Sequence, residues 1–415
     1  MAPREKGSSK GAASPAALES DVVAWILGQA DSTDFRAEYL GRSWLHARND
    51  RRDRFADLLS LAQLDEVLGT YGVKLPTIRL VRADEDIPSS EYVWRDSMVD
   101  PAQAARLFSQ GATIIFGALQ DRHEGMRRLC SAVAEQVCAR TQTNIYLTPP
   151  DSQGFKPHWD THDVYVLQVE GSKRWRIYGG GPEHPLQDQK FDPKVHEPGE
   201  VEAEFTLEAG EVLYIPRGIM HAAVTTDDIS LHITLGVMPY TWSDLLVDCV
   251  SELVERSPDW RRNVPFGFAW QDEVELKREL GALADRLVAE VDLRTVVAER
   301  QRVFESAVRP RATDLLRQAS RAAAVSERDR VQWRRGVPGR IEARNGRVVV
   351  VSGGREVDFP SAATRTLRLL LAGDAVLASD VDDGLDWESR RVVLSALIRE
   401  GLVASDAAKA SSAGA

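Results

Sequence analysis

The passage PHWDTHDVYVLQVEGSKRWRIY, followed further along the chain by AGEVLYIPRGIMHAAV, concentrates side chains able to hold a metal ion. In extended backbone, residues i and i+2 point to the same side, so His158 and Asp160 project together while Trp159 points away. A third ligand must come from elsewhere. His221 is the best candidate, because it follows a strand-like run and a Pro-Arg-Gly turn that can present it at the mouth of a barrel. Two imidazoles and one carboxylate on one side of a metal, with the opposite positions open, is the donor set of non-haem Fe(II) oxygenases. Zinc accepts the same donors, so ligand types alone do not choose the metal.

A second group of residues suits an anionic cosubstrate. Lys173 follows an expected turn at Glu170-Gly171-Ser172 and heads the run RWRIY, where its ammonium can reach inward as a point charge for a carboxylate. Asn144 and Tyr146 share one face of NIYL. Ser230, His232 and Thr234 share one face of SLHITL, and Leu231, Ile233 and Leu235 take the other. Polar faces on otherwise apolar strands fit a solvated, ligand-holding barrel interior.

These residues need a frame, and the runs around them supply one. Between about 75 and 240 the segments VKLPTIRLVR, ATIIFG, NIYLT, DVYVLQV, RWRIYG, EFTL, EVLYIP and SLHITLGV are rich in β-branched and aromatic residues and punctuated by Gly and Pro. Helical runs near PAQAARLFSQ and RHEGMRRLCSAVAEQVCART interrupt them without regular alternation, which favours a barrel over a doubly wound sheet. Ahead of the barrel, SDVVAWILG, FRAEYLGRSWLH and FADLLSLAQLDEVL read as helices, the second running on into an extended segment.

Behind it, residues 241–330 carry apolar residues three or four apart, as in DLLVDCVSELVERS and DEVELKRELGALADRLVAEV, so one helix face is available for burial. Residues 331–403 then suggest a hairpin through Gly353 and Gly354 followed by two helices, an order compatible with a winged-helix-like module. The expected organisation is therefore a polar tail at 1–18, a barrel with its N-terminal helices at 19–240, the helical region, the winged-helix-like domain, and a second tail at 404–415.

Composition narrows the class. The chain has 415 residues, 43% of them hydrophobic, and a formal charge of −11, which argues against a surface that grips nucleic acid throughout. Residues 355–400 hold six arginines against nine acids, the wrong balance for a DNA-binding regulator with a cupin sensor, so DNA is not an expected partner. Three scattered cysteines form neither a disulfide framework nor a thiolate zinc site. With neither a signal-peptide core nor an apolar run long enough to span a membrane, a cytoplasmic setting is expected.

The block NIYLTPPDSQGFKPHWDTHDVYVLQVEGSKRWRIY resembles the ribosomal oxygenase group of the JmjC/cupin superfamily. TPPxSQGF before the His-x-Asp pair, QxEGxKxWR after it and LYIPRGxxH further on carry the resemblance, which extends from about Phe35 to Val403. It implies an α+β architecture: a double-stranded β-helix with N-terminal helices, a helical dimerisation region and a C-terminal winged helix. It also implies an Fe(II)- and 2-oxoglutarate-dependent oxygenase that consumes O2, releases succinate and CO2, and hydroxylates a His or Arg side chain of a protein, first of all a ribosomal one.

By position, His158, Asp160 and His221 match the family's iron ligands, Lys173 the lysine for the distal carboxylate of 2-oxoglutarate, and Asn144 and Tyr146 polar residues of that pocket. Ser230 and His232 fall in the last barrel strand. A homodimer is implied as well. Trp159 stands where Tyr is usual, and Thr161-His162 replaces a commonly acidic residue and its neighbour. These departures flank the metal, on the side expected to face substrate, and His162 shares the strand parity of Asp160. They leave a ribosomally made peptide or other natural-product precursor as the alternative substrate. A metal-free or zinc-bound cupin used only for binding is the alternative outside that chemistry.

Overall fold

The computed structural model describes residues 21–82, 85–152, 156–270, 272–307, 314–334, 336–381 and 384–406. The tail expected at 1–18, all but the first three residues of the one at 404–415, and the Gln-Gly-Phe of the TPPxSQGF motif lie outside the described residues. The chain divides into two compact units, Met1–Tyr240 and Thr241–Ala415.

The first unit opens with α1 (Val22–Leu27), α2 (Thr33–Glu38), β1 (Leu45–Ala47) and α3 (Leu61–Thr70). The helix expected over FADLLSLAQLDEVL begins only at Leu61, because Ser60 caps it: the Ser60 side chain accepts the Gln63 N–H, and the Gln63 side chain reaches back to the Ser60 N–H at 2.9 Å. Next come β2 (Ile78–Arg82), β3 (Glu85–Asp86), α4 (Pro101–Ser109), β4 (Thr113–Gly117), α5 (Glu124–Val137), β5 (Arg140–Thr148), β6 (Asp163–Tyr178), β7 (Val201–Glu208), β8 (Val212–Ile215) and β9 (Met220–Met238). All pairings are antiparallel, and the nine strands join in the order β1-β8-β6-β9-β5-β4-β2-β3, with β7 against the second half of β6.

Two long strands organise this barrel. The runs DVYVLQV and RWRIY are one strand of 16 residues, β6, and it pairs along most of its length with the 19-residue β9. Val164 and Val166 from the first half of β6 pack in one apolar cluster with Trp175 and Ile177 from its second half, so the β6–β9 ribbon folds over on itself and encloses the interior. On the other face, Tyr165, Leu167, Leu231, Ile233 and Leu235 join the main core with residues of the N-terminal helices. Covered on both sides, the first half of β6 is buried residue by residue.

The expected turn at Glu170-Gly171-Ser172 is instead an irregular stretch inside β6, with register shifts against β9 between Gln168 and Glu170 and between Gly171 and Lys173. This stretch has a decisive effect. Strict alternation from Val164, Val166 and Gln168 would aim Lys173 at the outer core, and the bulge inverts the parity so that Lys173, Trp175 and Ile177 face inward. Gly171 makes it possible: its φ is +64°, and a Cβ there would sit 1.7 Å from the Ile229 carbonyl oxygen.

The second unit contains α6 (Trp242–Arg256), α7 (Glu273–Glu290), α8 (Leu293–Ala307) and α9 (Leu315–Arg321). Strands β10 (Arg330–Trp333), β11 (Arg340–Arg344), β12 (Arg347–Ser352) and β13 (Arg355–Pro360) follow, then α10 (Thr364–Leu371), β14 (Val376–Leu377), α11 (Trp387–Arg399) and β15 (Val403–Ser405). The Gly353–Gly354 hairpin forms as expected, and a second at Asn345–Gly346 extends it to a three-stranded meander; both central residues of each turn have positive φ. β15 runs past the expected end of ordered chain at 403, because the Gln318 side chain pairs with both the N–H and the carbonyl of Ser405.

Candidate metal centre

His158 and His221 face one another across an isolated antiparallel bridge. The His158 N–H donates to the His221 carbonyl at 3.1 Å, and the His221 N–H donates to the His158 carbonyl at 2.8 Å. The strand expected around His158 and Asp160 is reduced to this bridge, yet both side chains reach one place. One ligand atom from each of His158, Asp160 and His221 lies within 4.8 Å of the others, with Asp160 Oδ2 3.8 Å from His221 Nε2.

The imidazoles are held in one tautomer. His158 Nδ1 lies 2.8 Å from the Lys156 carbonyl oxygen and His221 Nδ1 lies 2.9 Å from that of Ile219. A carbonyl only accepts, so Nδ1 carries the proton and Nε2 keeps the electron pair that a metal requires. Burial and then the neighbouring His158 push the His221 pKa down, which keeps that ring neutral. Two imidazoles with oriented outer nitrogens and one carboxylate meet the requirements of a divalent transition-metal site.

The interior beyond this group is built to receive an anion. Lys173 is 2% exposed and donates to Thr148 Oγ1 at 3.3 Å. Burial alone holds its pKa down to about 7; no acidic group among the described residues offsets it. His232, buried beside it, stacks face to face on Tyr146 with ring centroids 4.9 Å apart, and burial and then the Lys173 charge lower its pKa. Tyr146 is pushed up to about 12 by burial and then by Asp160, so its phenol stays protonated.

Ser230 Oγ accepts the Gln168 Nε2 hydrogen bond at 2.9 Å. Asn144 lies on the same interior row of β5, where its amide oxygen accepts from Gln142 Nε2 at 3.1 Å and from the Ala118 N–H at 3.4 Å. Three buried polar atoms around this space, Gln168 Oε1, Trp175 Nε1 and His232 Nδ1, have no hydrogen-bond partner among the described residues. Such orphans are uncommon in folded proteins and suit a bound polar molecule that completes them.

Thr148, Gln168 and Trp175 were missed in the sequence. Thr148 was within reach, since it continues the i, i+2 row of Asn144 and Tyr146; Trp175 required knowledge of the bulge. Trp159 does not face the expected substrate side. It is 5% exposed, meets Phe191 and His196 edge to face, and donates Nε1 to the Gln189 carbonyl at 3.4 Å, so it anchors the connection between β6 and β7. His162 lies over Gly236, where an added Cβ would come within 2.4 Å of its ring.

A folded-over antiparallel barrel with a two-His, one-carboxylate cluster and an inward lysine defines a cupin-type fold of the JmjC class. Residues 119–245, the stretch that carries the three clustered ligands and the inward lysine, match the JmjC domain family. The chain is similar to the bifunctional lysine-specific demethylase and histidyl-hydroxylase NO66 of Dictyostelium discoideum, 28% identical over 68% of this chain and 59% of that protein. The NO66 protein of Drosophila grimshawi is 31% identical over 59% of this chain and 35% of its own length. The chain thus spans less than two thirds of these curated relatives. The fold is that of the Escherichia coli ribosomal oxygenase YcfD solved with cobalt and 2-oxoglutarate: TM-score 0.51 and 18% identity, covering 90% of this chain and 97% of that one.

Proposed function

We propose that this chain is an Fe(II)- and 2-oxoglutarate-dependent oxygenase that hydroxylates a His or Arg side chain of a protein, a ribosomal protein being the first candidate. The observation that carries this reading is the pairing of a His158–Asp160–His221 cluster with a buried lysine that has no counter-charge among the described residues. The solved relative's complex with cobalt and 2-oxoglutarate, and the histidyl-hydroxylase activity in the names of the curated relatives, point the same way.

Iron, when bound, supplies the oxidation of an unactivated C–H bond by O2 at the expense of 2-oxoglutarate, which leaves as succinate and CO2. The protein's contribution is positional. His158, Asp160 and His221 hold the metal, and Lys156 and Ile219 fix the two imidazoles through their carbonyls. Lys173, with Thr148, holds the distal carboxylate of 2-oxoglutarate. Tyr146 and His232 form a flat aromatic wall beside it, Ser230 supports Gln168, and Asn144 frames the strand.

The helical region at 241–330 suits a homodimer contact. Trp242, Phe266 and Trp270 are 81%, 105% and 92% exposed in the single chain, and surfaces of this kind are normally covered by a partner. No described helix is long and apolar enough to cross a membrane, and the three cysteines are unpaired, both consistent with a reducing cytoplasmic setting.

The test is to incubate iron-loaded protein with 2-oxoglutarate, O2 and extract of its own host, beside a His158→Ala control, and search proteins for side chains that gain one oxygen atom. A hydroxylated His or Arg in a ribosomal protein is the expected result. Formaldehyde release from methyl-lysine would instead indicate demethylation. Succinate formation without any protein mark would move the search to peptide and natural-product precursors.

A further inference from the structure

We propose that Asp163 is a positioning residue for the metal site, tying the segment that carries His158 and Asp160 to the turn that presents His221. This inference rests on reading those three residues as the metal ligands. Asp163 is 7% exposed at the start of β6, three residues beyond Asp160, and is not one of the three clustered ligands. Its two oxygens are used separately. Oδ1 accepts the Arg217 N–H at 3.0 Å, and Oδ2 accepts the Tyr214 hydroxyl at 3.1 Å; that hydroxyl in turn accepts the Gly41 N–H at 2.9 Å.

The Arg217 bond is the informative one. Residues 216–219 form a tight turn in which the Ile219 N–H donates to the Pro216 carbonyl at 3.3 Å, with Gly218 at φ +86° in the third position. That pattern is a type II turn. The turn is pinned on two sides by the segment holding the other ligands: Arg217 N–H to the Asp163 carboxylate, and Gly218 N–H to the Asp160 carbonyl at 3.0 Å. From the turn emerges Ile219, whose carbonyl orients the His221 ring, and then His221 itself. Moving the turn therefore moves both a ligand and its orienting acceptor. Partners hydrogen-bonded directly to a metal's ligands commonly set affinity by roughly 10–100-fold, and Asp163 acts through one of them, the Ile219 carbonyl, by holding its turn.

The test is Co(II) titration of metal-free protein, read by visible d–d absorption, alongside thermal unfolding of the same metal-free samples. Asp163→Ala removes the acceptor. Arg217→Pro removes only the donor N–H and the side chain, at a turn position where proline is favoured, and Arg217→Ala keeps the N–H as its control. Tyr214→Phe deletes the hydroxyl on the other oxygen.

The expected result is a 10–100-fold weaker Co(II) affinity, roughly, and an altered band for Asp163→Ala and Arg217→Pro. Wild-type affinity is expected for Arg217→Ala and Tyr214→Phe, the latter with a lowered melting temperature. A purely structural role would lower melting temperatures without that division in affinity. Should Asp163→Ala fail to fold, Arg217→Pro decides alone. Wild-type Co(II) binding by both Asp163→Ala and Arg217→Pro overturns the proposal. If wild type and His158→Ala bind Co(II) equally, the metal-site reading falls and takes the proposal with it.

Discussion

At the scale of single residues the strongest physical tension is Lys173, an ammonium-bearing side chain placed where burial favours its neutral form. A bound dicarboxylate restores the charge, so binding must take up a proton whenever Lys173 starts out neutral. With a pKa near 7 in the free protein, 2-oxoglutarate affinity should be greatest below pH 7 and fall by about tenfold per pH unit above it, until the raised pKa of the complex is reached. Calorimetry with the metal bound and O2 excluded, in buffers of different ionisation enthalpy, would read the proton uptake directly; affinity independent of pH from 6 to 9 would remove Lys173 as the anchor. Lys173→Met should weaken the same binding by roughly 2–5 kcal/mol while leaving Co(II) binding intact. Residue type and i, i+2 parity nominate His158 and Asp160, the Pro-Arg-Gly turn nominates His221, and the place after Glu170-Gly171-Ser172 nominates Lys173, whose inward aim strict parity alone would have denied.

Elements decide what residue types leave open, and here the sequence was less legible. The inward aim of Lys173 is a property of β6 as a whole: Gly171 was read as a turn, because glycine after glutamate on an aromatic strand looks the same for a turn and for a bulge. Gly171→Ala forces a Cβ against the Ile229 carbonyl at positive φ, so it should cost more than about 1–2 kcal/mol and abolish 2-oxoglutarate binding along with the parity shift. Thermal unfolding and calorimetry would check both effects. Parity says only that Trp159 points away from the ligands, and its expected place beside substrate came from flanking the metal where the resembling family has Tyr, neither of which says what waits there. The partners Phe191 and His196 come from a segment more than thirty residues downstream, which no local pattern announces. Trp159→Ala should cost about 3–5 kcal/mol and speed proteolytic cleavage between Gly181 and Gly199; unchanged cleavage would show that the connection holds itself in place.

The molecule as a whole combines a net charge of −11 with bare aromatic side chains in its second unit. Light scattering at micromolar concentration should give the mass of a dimer, and Phe266→Glu with Trp270→Glu should shift it towards the monomer without reducing Co(II) affinity. A monomeric wild type would count against the proposed contact. The ribbon of β6 and β9 has a different consequence, for how the barrel can change over evolutionary time. Ile177 stands opposite His221 on that ribbon, and Lys173 lies four residues back along β6, on the order of 13 Å by strand rise. The strand thus acts as a ruler between metal and anchor, and its graduations are coarse: deleting or adding one residue would turn the lysine outward, so the span can change only in steps of about 7 Å. That increment far exceeds one carbon–carbon bond, so the length of the dicarboxylate is fixed by the ladder while the mouth of the barrel remains open to drift towards new substrates.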